Sequence, residues 1–452
     1  MRRSARVAAA ADMRTSALPQ LPPSLALRVF LLLPVDQRAR ACCVCRGWRG
    51  FLADPALWTR LDLSPGAGVS KERLTDAFLR GAAAKAQGQL ERLGLDLQCA
   101  AHALSQTAVY EVALASAGSL RELRLVVPRL PCAEWNDVAN LEALARAAPL
   151  LRRLEARVAC KWEDAPRLMR ADPPLTALQL HGLSVTDHED VPLDRVTTFA
   201  AALADTALQT KLERLCFAVQ DITRPEVLDT LVDAVLARRQ LCELEFIACS
   251  PPAPAPLARL LRGSALAILQ LFNDPEDPSL LDTAGAVLVA DALRANTTLQ
   301  VLTLDSSRLC DDVPAACVLL RALVGHSSLR ELKLQEENPD DGAAIGAALA
   351  ELIAADTPVL QSLYLRAVRL NDEGLAPIMD ALPQNHHLRK LDISRAGATE
   401  AFSRDRMLPA IRANTSLRWL ECDWTPAQGE AWQLVYNRTP RVTERGRRRH
   451  GA

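Results

Sequence analysis

The chain has 452 residues, of which 49% are hydrophobic and 24% are charged, and this is the ordinary composition of a protein that buries a core. Disorder over the whole length is therefore excluded. The formal net charge is −1, from 53 Lys and Arg against 54 Asp and Glu, so no overall field draws the chain toward nucleic acid or anionic lipid. No uncharged apolar run approaches the roughly 20 residues that a membrane span requires.

The N-terminal residues 1–17 are rich in Arg and Ala and lack the apolar core of a secretory signal. They weakly resemble an organelle transit peptide, but we predict a disordered leader. Twelve cysteines in this length are too few for a disulfide scaffold. We therefore expect reduced thiols and a cytoplasmic or nuclear protein.

Residues 18–63 predict a small module of three short helices. Pro23 is acceptable in a first turn, and Pro34 ends the helix that is patterned by Leu25, Val29, Leu32 and Leu33. Asp36 is predicted to cap a second helix with Ala39, Cys42, Cys43 and Cys45 on its apolar side, and Asp54-Pro55 opens a third turn. A piece this small buries little core, so we expect it to lean on a partner or on the residues that follow.

This module carries a motif at characteristic spacing: Leu21-Pro22, Val29-Phe30, Leu33-Pro34, Val44-Cys45-Arg46-x-Trp48 and Pro55-x-Leu57-Trp58-x-x-Leu61. In these positions it resembles the F-box. Pro23-Ser24 departs from the family, which often has an acidic residue after Leu-Pro, and this affects a helix start rather than the apolar contacts.

The F-box resemblance implies docking on a Skp-type adaptor and, through it, on a cullin–RING ubiquitin ligase. It also implies an adaptor-binding surface formed or supported by Leu21, Pro22, Leu25, Val29, Phe30, Leu33, Pro34, Val44 and Trp48. An apolar patch of that size is expected on a soluble protein only where a partner covers it. The alternative is that these residues merely hold the three helices together.

An internal repeat follows the module. The unit L-x-x-L-x-(apolar) recurs at spacings of 24 to 37 residues, with a mean near 30. Its first leucines are Leu90, Leu120, Leu151, Leu175, Leu212, Leu241, Leu266, Leu299, Leu329, Leu360, Leu388 and Leu417. This period is typical of leucine-rich repeats with a helix in each unit.

Each repeat switches from helical to strand periodicity. Leu302 and Leu304 alternate as on a strand with one buried face, whereas the residues before Asn296 follow helical spacing. Asn296 and Asn414, each three residues before a strand leucine, are predicted to be left-handed helix caps. Residues 370–393 form one complete unit, which resembles the ribonuclease-inhibitor type of leucine-rich repeat.

The resemblance covers residues 85–425 and implies an α/β solenoid, a horseshoe with parallel strands inside and helices outside. We place this solenoid at residues 64–425 and a C-terminal cap with a basic tail at residues 426–452. Residues 186–192, 251–256 and 274–278 are insertions, and the second is too rich in Pro for a helix. The stack is therefore expected to bend unevenly near residues 181–210 and 247–282.

Several short patterns are better explained by structure than by chemistry. Cys42-x-x-Cys45 lacks a second metal-binding pair, so core packing is favoured over zinc. Residues 187–190 predict a solvated acidic loop rather than a cation site, and His386-His387 predicts a surface turn. The arginines between Arg441 and Arg449 fit a nuclear-localisation stretch or a frayed end equally well. No metal and no cofactor is predicted.

The informative surface is the inner face of the strands, where the third and fifth residues of each unit point away from the core. Charges of both signs there exclude a plain polyanion-binding trough. The aromatic and charged composition at the C-terminal end is typical of protein contact sites. We therefore predict a substrate-binding patch of Lys333, Tyr364, Lys390, Asp392, Trp419 and Glu421. The alternative is that Trp419 packs under the terminal cap near Trp424 and Trp432.

No catalytic motif is present, so we expect a binding protein and not an enzyme. The sequence predicts a substrate-recognition subunit of an SCF-type cullin–RING ubiquitin ligase, with no nucleic acid and no membrane among its partners. One rival is a leucine-rich-repeat scaffold without a ligase link. Another is a GTPase-activating protein of the Ran type, which shares this repeat but carries an acidic tail where this chain is basic.

Overall fold

The computed structural model divides into two compact units. The first comprises Met1–Asp187 and Asp205–Arg214, and the second comprises His188–Ala204 and Leu215–Ala452. The residues that the structure describes are 22–63, 74–96, 104–126, 138–162, 164–171, 174–181, 193–209, 211–218, 225–247, 254–272, 281–305, 308–335, 339, 341–423 and 425–438. Within them, no helix combines the length and the apolar character that crossing a bilayer demands.

The first unit begins with the helical module. Its elements are α1 (Pro23–Leu31), α2 (Val35–Ala41), α3 (Arg46–Phe51) and a 3₁₀ turn at Pro55–Leu57. Pro23 lies in the first turn of α1 and Asp54 caps the 3₁₀ turn through the amide of Ala56, as predicted. These are the positions where a missing N–H or a side-chain acceptor suits a helix start.

The predicted start of the second helix is wrong. Pro34 occupies the N-cap position, and Asp36 lies inside the first turn, where it is buried and pairs with Arg40 at 3.5 Å. The helix also ends at Ala41, so Cys43 is exposed instead of packed in the core. Cys45 has another role, because its Sγ accepts a hydrogen bond from the amide of Trp48 and caps α3. The fixed backbone of Pro34 starts the helix early, and the cysteines then fall in the turn after it.

The rest of the first unit alternates strands and helices. The elements are β1 (Arg60–Asp62), α4 (Asp76–Lys85), β2 (Arg92–Asp96), α5 (Gln106–Ala115), β3 (Glu122–Val126), α6 (Val138–Ala147), β4 (Arg153–Lys161), α7 (Ala165–Arg170) and β5 (Leu175–His181). Each strand pairs in parallel with the next. Leu93, Leu123 and Leu154 are cross-strand neighbours and are all buried, so the repeat leucines form continuous rows.

The strand β6 (Arg214–Ala218) begins on the last residue of the first unit. The second unit contains α8 (Leu193–Ala204), α9 (Pro225–Leu236), β7 (Glu243–Ile247), α10 (Pro254–Gly263), β8 (Ile268–Phe272), α11 (Thr283–Ala295), β9 (Val301–Asp305), α12 (Val313–Ala322), β10 (Glu331–Gln335), α13 (Gly342–Ala354), β11 (Ser362–Tyr364), α14 (Asn371–Ala381), β12 (Lys390–Asp392), α15 (Glu400–Phe402), α16 (Leu408–Ala413), β13 (Trp419–Glu421) and α17 (Pro426–Arg438). Strands β7 to β13 are parallel neighbours in chain order.

The predicted leucine-rich-repeat fold is confirmed. Leu302, Leu304, Leu332 and Leu334 are buried at alternate positions of their strands, as the sequence pattern required. One insertion differs from the prediction, because Pro254 and Pro256 lie in the first turn of α10. A first turn tolerates proline since its N–H groups have no partner within the helix. The insertions at 186–192 and 274–278 lie outside the described residues.

The turns between helices and strands are held by side-chain amides. Asn296 and Asn414 are helix C-caps as predicted, but the predicted left-handed conformation is wrong. Asn296 and Asn414 have extended backbones. The Asn414 Oδ1 accepts the amides of Ser416 and Leu417, and its Nδ2 donates to the carbonyls of Leu382 and Asn385 in the preceding repeat. These side chains satisfy buried backbone groups that the turns leave without partners.

Replacing Asn414 with Ala should strongly destabilise the second unit. The side chain is fully buried, and its loss leaves backbone groups of two repeats unsatisfied. We expect a loss of about 3 kcal/mol in the free energy of unfolding, measured by urea denaturation. Asn437→Ala is the control, because the exposed Asn437 takes only a 3.5 Å bond from Gln433. Equal stability of the two variants would contradict this account.

His326 occupies the same position as these asparagines, and its Nδ1 accepts the amides of Ser328 and Leu329. Burial lowers the pKa of His326 below 6.5, and the carbonyl of Leu293 opposes this only in part. Below pH 6.5 the unfolded chain therefore takes up a proton that the folded chain resists. The stability that this residue contributes is complete above pH 6.5 and declines as the pH falls further.

We expect His326→Asn to reduce the loss of stability between pH 7.5 and pH 5.5, because Asn makes the same bonds without titrating. The measurement is the urea midpoint of the wild type and the variant at both pH values. If both proteins lose the same stability on acidification, His326 is not the titrating group.

Candidate functional site

The helical module has a core of its own. Phe30 is 1% exposed, and its ring meets Trp48 edge-on at 5.5 Å between centroids and lies 6.4 Å from Phe51. Leu52 and Leu57 are also buried. Phe30 therefore supports the module from inside and offers no atoms for direct contact with a partner.

The module is fastened to the first repeat around Trp58. This ring is fully buried, and its Nε1 donates to the carbonyl of Leu52 at 2.8 Å. Lys85, the last residue of α4, places its Nζ 4.2 Å from the Trp58 centroid and 3.1 Å from the Sγ of Cys42. Arg38 lies 5.6 Å from the same centroid and donates to the carbonyl of Leu57, and burial lowers its pKa. Strand β1 then continues directly into the repeat sheet.

An apolar surface remains on the module. In the described chain, five of the twelve exposed large hydrophobic residues lie between positions 25 and 44, namely Leu25, Val29, Leu31, Leu32 and Val44. Leu32 is 83% exposed. We call these five residues the apolar module surface. Large exposed apolar patches are a feature of interaction sites in soluble proteins.

The predicted adaptor-binding residues differ in their exposure to solvent. Pro22, Leu25, Val29 and Val44 are exposed, and Leu33, Pro34 and Trp48 are partly exposed. Leu21 lies outside the described residues. Sequence reasoning missed Leu31 and assigned Leu32 to the apolar helix pattern. The available signal was the run Leu31-Leu32-Leu33 directly before Pro34, because α1 ends at Leu31 and Leu32 lies exposed just beyond it.

The predicted substrate-binding residues lie on β10 to β13 of the second unit. The Tyr364 and Trp419 rings are 5.7 Å apart between centroids, although β12 separates their strands. The Nζ of Lys333 is 5.2 Å from the Tyr364 centroid and 2.7 Å from the Glu331 carboxylate. Trp419 is 37% exposed and faces Tyr364, and Trp432 stacks on Tyr436 within α17. Trp424 lies outside the described residues.

Burial affects both carboxylates of this patch, Asp392 and Glu421. Asp392 is buried, and its Oδ1 accepts hydrogen bonds from the amide and the hydroxyl of Ser394. Burial raises the pKa of Glu421, the neighbouring Asp392 charge adds to the rise, and Arg366 opposes it. Asp392 is therefore the buried member of the patch, whereas Lys390 and Trp419 are exposed and Lys333, Tyr364 and Glu421 are partly exposed.

Several short sequence patterns were assigned to structure rather than to chemistry, and the described residues can be compared with those assignments. In the described residues, no three His, Cys, Asp or Glu side chains are grouped as metal ligands. His386 is exposed and its Nδ1 lies 2.9 Å from Asp356, so the predicted surface turn is confirmed. Residues 187–190 and the arginines from Arg441 to Arg449 lie outside the described residues.

Comparisons with known proteins give one family match and two distant structural likenesses. Residues 18–64 match the F-box-like family. A leucine-rich repeat-containing protein, LegL7 from Legionella pneumophila, is similar at 12% identity and a TM-score of 0.41, covering 73% of this chain and 94% of its own. The Rad7 and Elc1 complex in yeast is similar at 15% identity and a TM-score of 0.40, covering 82% of each chain. Likenesses this distant carry no argument about function.

The class of protein follows from the module and the repeats together. The chain carries an F-box-like domain, followed by a leucine-rich-repeat solenoid with one strand in each repeat.

Separate replacements of Phe30 in α1 and of Leu32, the residue just after α1, should distinguish core from surface. Phe30→Ala should destabilise the module by about 3–5 kcal/mol, because it empties a packed aromatic site. Leu32→Ala should change stability by less than about 0.5 kcal/mol, because the side chain is already in water. Hydrogen exchange of residues 22–63 is the measurement, and similar protection in both variants would contradict the assignment.

Proposed function

We propose that this protein is the substrate-recognition subunit of an SCF-type cullin–RING ubiquitin ligase. Its F-box module docks on a Skp-type adaptor, and its repeats bind the target protein. The observation that supports this most is the apolar module surface, because it is exposed on the same residues that match the F-box-like family. The chain itself catalyses nothing in this proposal.

The mechanism is an increase in effective concentration. A target held on the repeats meets a ubiquitin-charged enzyme that belongs to the same assembly, so the transfer becomes intramolecular. A firm attachment of the module to the repeats favours this transfer, because it keeps the target's lysines within reach of the ubiquitin-charged enzyme. The contacts of Trp58 with Lys85, and the pairing of β1 with β2, supply such an attachment to the first repeats.

For the target we propose the accessible strand face of β11 to β13. Tyr364 and Trp419 form a pair of adjoining aromatic rings, and Lys390 lies on the strand between them. Rigid aromatic rings and long basic side chains supply much of the binding energy in protein interfaces.

Leu32→Asp and Val44→Asp should each weaken binding to a Skp-type adaptor. Each puts a charge on an exposed apolar position, so it opposes docking while the fold persists. We expect at least about tenfold weaker binding in pull-down and calorimetry with the purified adaptor. Thermal unfolding of the free variants should match that of the wild type.

The matched control is Val287→Asp, which changes an exposed apolar residue of α11 in the same way. It should bind the adaptor as the wild type does. If the wild-type chain does not bind a Skp-type adaptor, the ligase proposal fails and the rival, a repeat scaffold without a ligase link, takes its place.

A further inference from the structure

A cysteine and a lysine meet where the helical module joins the first repeat. Cys42 is the residue just after α2 and Lys85 is the last residue of α4, so the two are 43 residues apart in the chain. The Nζ of Lys85 donates a hydrogen bond to the Sγ of Cys42 at 3.1 Å. A thiol and an amine, which are both nucleophilic groups, therefore touch across the junction.

The ring of Trp58 fixes the amine in this position. The ring is fully buried, and the hydrogen bond from its Nε1 to the carbonyl of Leu52 sets its orientation. The Nζ of Lys85 lies 4.2 Å from the ring centroid, within the range at which a cation is attracted to an aromatic face. Lys333, by contrast, pairs with the carboxylate of Glu331 at 2.7 Å. Within the described residues, Lys85 is held by a ring and a thiol instead of a carboxylate.

The surroundings of Cys42 are those of a reactive thiol. Its side chain is partly exposed, so a small oxidant can reach it. Besides Lys85, a second basic residue adjoins it, because the Nε of Arg49 donates to the carbonyl of Cys42 at 3.2 Å. Reactive cysteines in proteins are partly exposed and lie in electropositive surroundings. Cys422 is the opposite case, since burial raises the pKa of its thiol to about 12.

We propose that Cys42 and Lys85 form a reversible covalent cross-link when the protein meets hydrogen peroxide. In the first step the Cys42 sulfur attacks one peroxide oxygen and the O–O bond breaks. The other oxygen leaves as water with the thiol proton, and the sulfur is oxidised to a sulfenic acid. In the second step the Lys85 nitrogen bonds to this sulfur and the S–O bond breaks. That oxygen leaves as water with one ammonium proton, a second ammonium proton passes to solvent, and a neutral sulfenamide remains.

The geometry favours the lysine over the neighbouring cysteines as the second partner. Lys85 already touches the Cys42 sulfur, whereas Cys43 is exposed and the Sγ of Cys45 accepts the amide of Trp48 at 3.4 Å. The S–N bond needs a closer approach than the present 3.1 Å, and the flexible four-carbon stem of lysine allows it. The link ties α2 to α4 and so fastens the module to the first repeat. It does not depend on the proposed ligase role.

The test is mass spectrometry of the full chain after treatment with hydrogen peroxide. The product should be about 2 Da lighter than the reduced chain, because the S–N bond forms with the loss of two hydrogens, and dithiothreitol should reverse the change. Trypsin should no longer cleave after Lys85. It should release a peptide in which the segment containing Lys85 is joined to residues 41–46, and fragmentation of this peptide locates the linked sulfur.

Two conservative variants each remove one partner. Lys85→Arg keeps a cation beside Trp58 but has no primary amine, so the linked peptide should be absent and dimedone should trap the Cys42 sulfenic acid. Cys42→Ser should also lack the linked peptide. The matched control is Cys43→Ser, which removes the adjacent exposed thiol and should form the link in the same yield as the wild type. Thermal unfolding of the reduced variants should match that of the wild type.

Three outcomes overturn the cross-link. One is a disulfide within residues 41–46 with normal cleavage after Lys85, which gives the same change of mass without the lysine. Another is a linked peptide from Cys42→Ser in the wild-type yield, which would assign the sulfur to a neighbouring cysteine. The third is a linked peptide that retains an added oxygen atom, which contradicts the S–N step.

The fastening of the module is measured separately by hydrogen exchange. The amides of α2 should exchange more slowly in the linked wild type than in the reduced protein, because the link restricts the separation of α2 from α4. Peroxide should produce no such change in Lys85→Arg. Equal exchange of the linked and the reduced wild type overturns the fastening role.

Discussion

The structure depends on one constraint, which is that a single repeat cannot bury its own leucines. Leu93, Leu123 and Leu154 are sealed only because each has a neighbour on the adjoining strand. Stacking buries backbone N–H and C=O groups together with the leucines, and these groups need hydrogen-bond partners. The amide of Asn414 meets that need between repeats. The burial of apolar side chains and the hydrogen bonding of buried backbone groups are therefore both properties of the stack rather than of any one unit.

The same constraint explains the position of the helical module. The first repeat has an open side, and β1 covers it by pairing with β2. Trp58 fills the junction, with Lys85 and Arg38 against its ring. Phe30 and Trp58 fill the interior, and Leu25, Val29 and Leu31 of α1 remain outside it. Their exposure is a consequence of a small core that is already complete.

Local sequence rules predicted the helix ends less well than the spacing of the repeat predicted the fold. Asp36 is a good capping residue, yet Pro34 starts the helix and leaves Asp36 buried within it. Asn296 tolerates a left-handed backbone, yet it stays extended so that its amide reaches the neighbouring repeat. Pro256 favoured an irregular segment over a helix, yet the first turn of α10 accommodates it. In each case the sequence allows two local solutions, and for Asn296 the neighbouring repeat decides between them.

The sequence by itself determined the rows of buried leucines, the succession of strand and helix, and the F-box motif, because alternation and spacing are local properties of the chain. Only the tertiary structure decided that Phe30 is enclosed while Leu31 and Leu32 face solvent, since exposure depends on which neighbours cover a residue. It also decided that Arg92 and Arg153 flank Glu122. These residues are distant in the chain, and the stacking of the repeats brings them together on neighbouring strands.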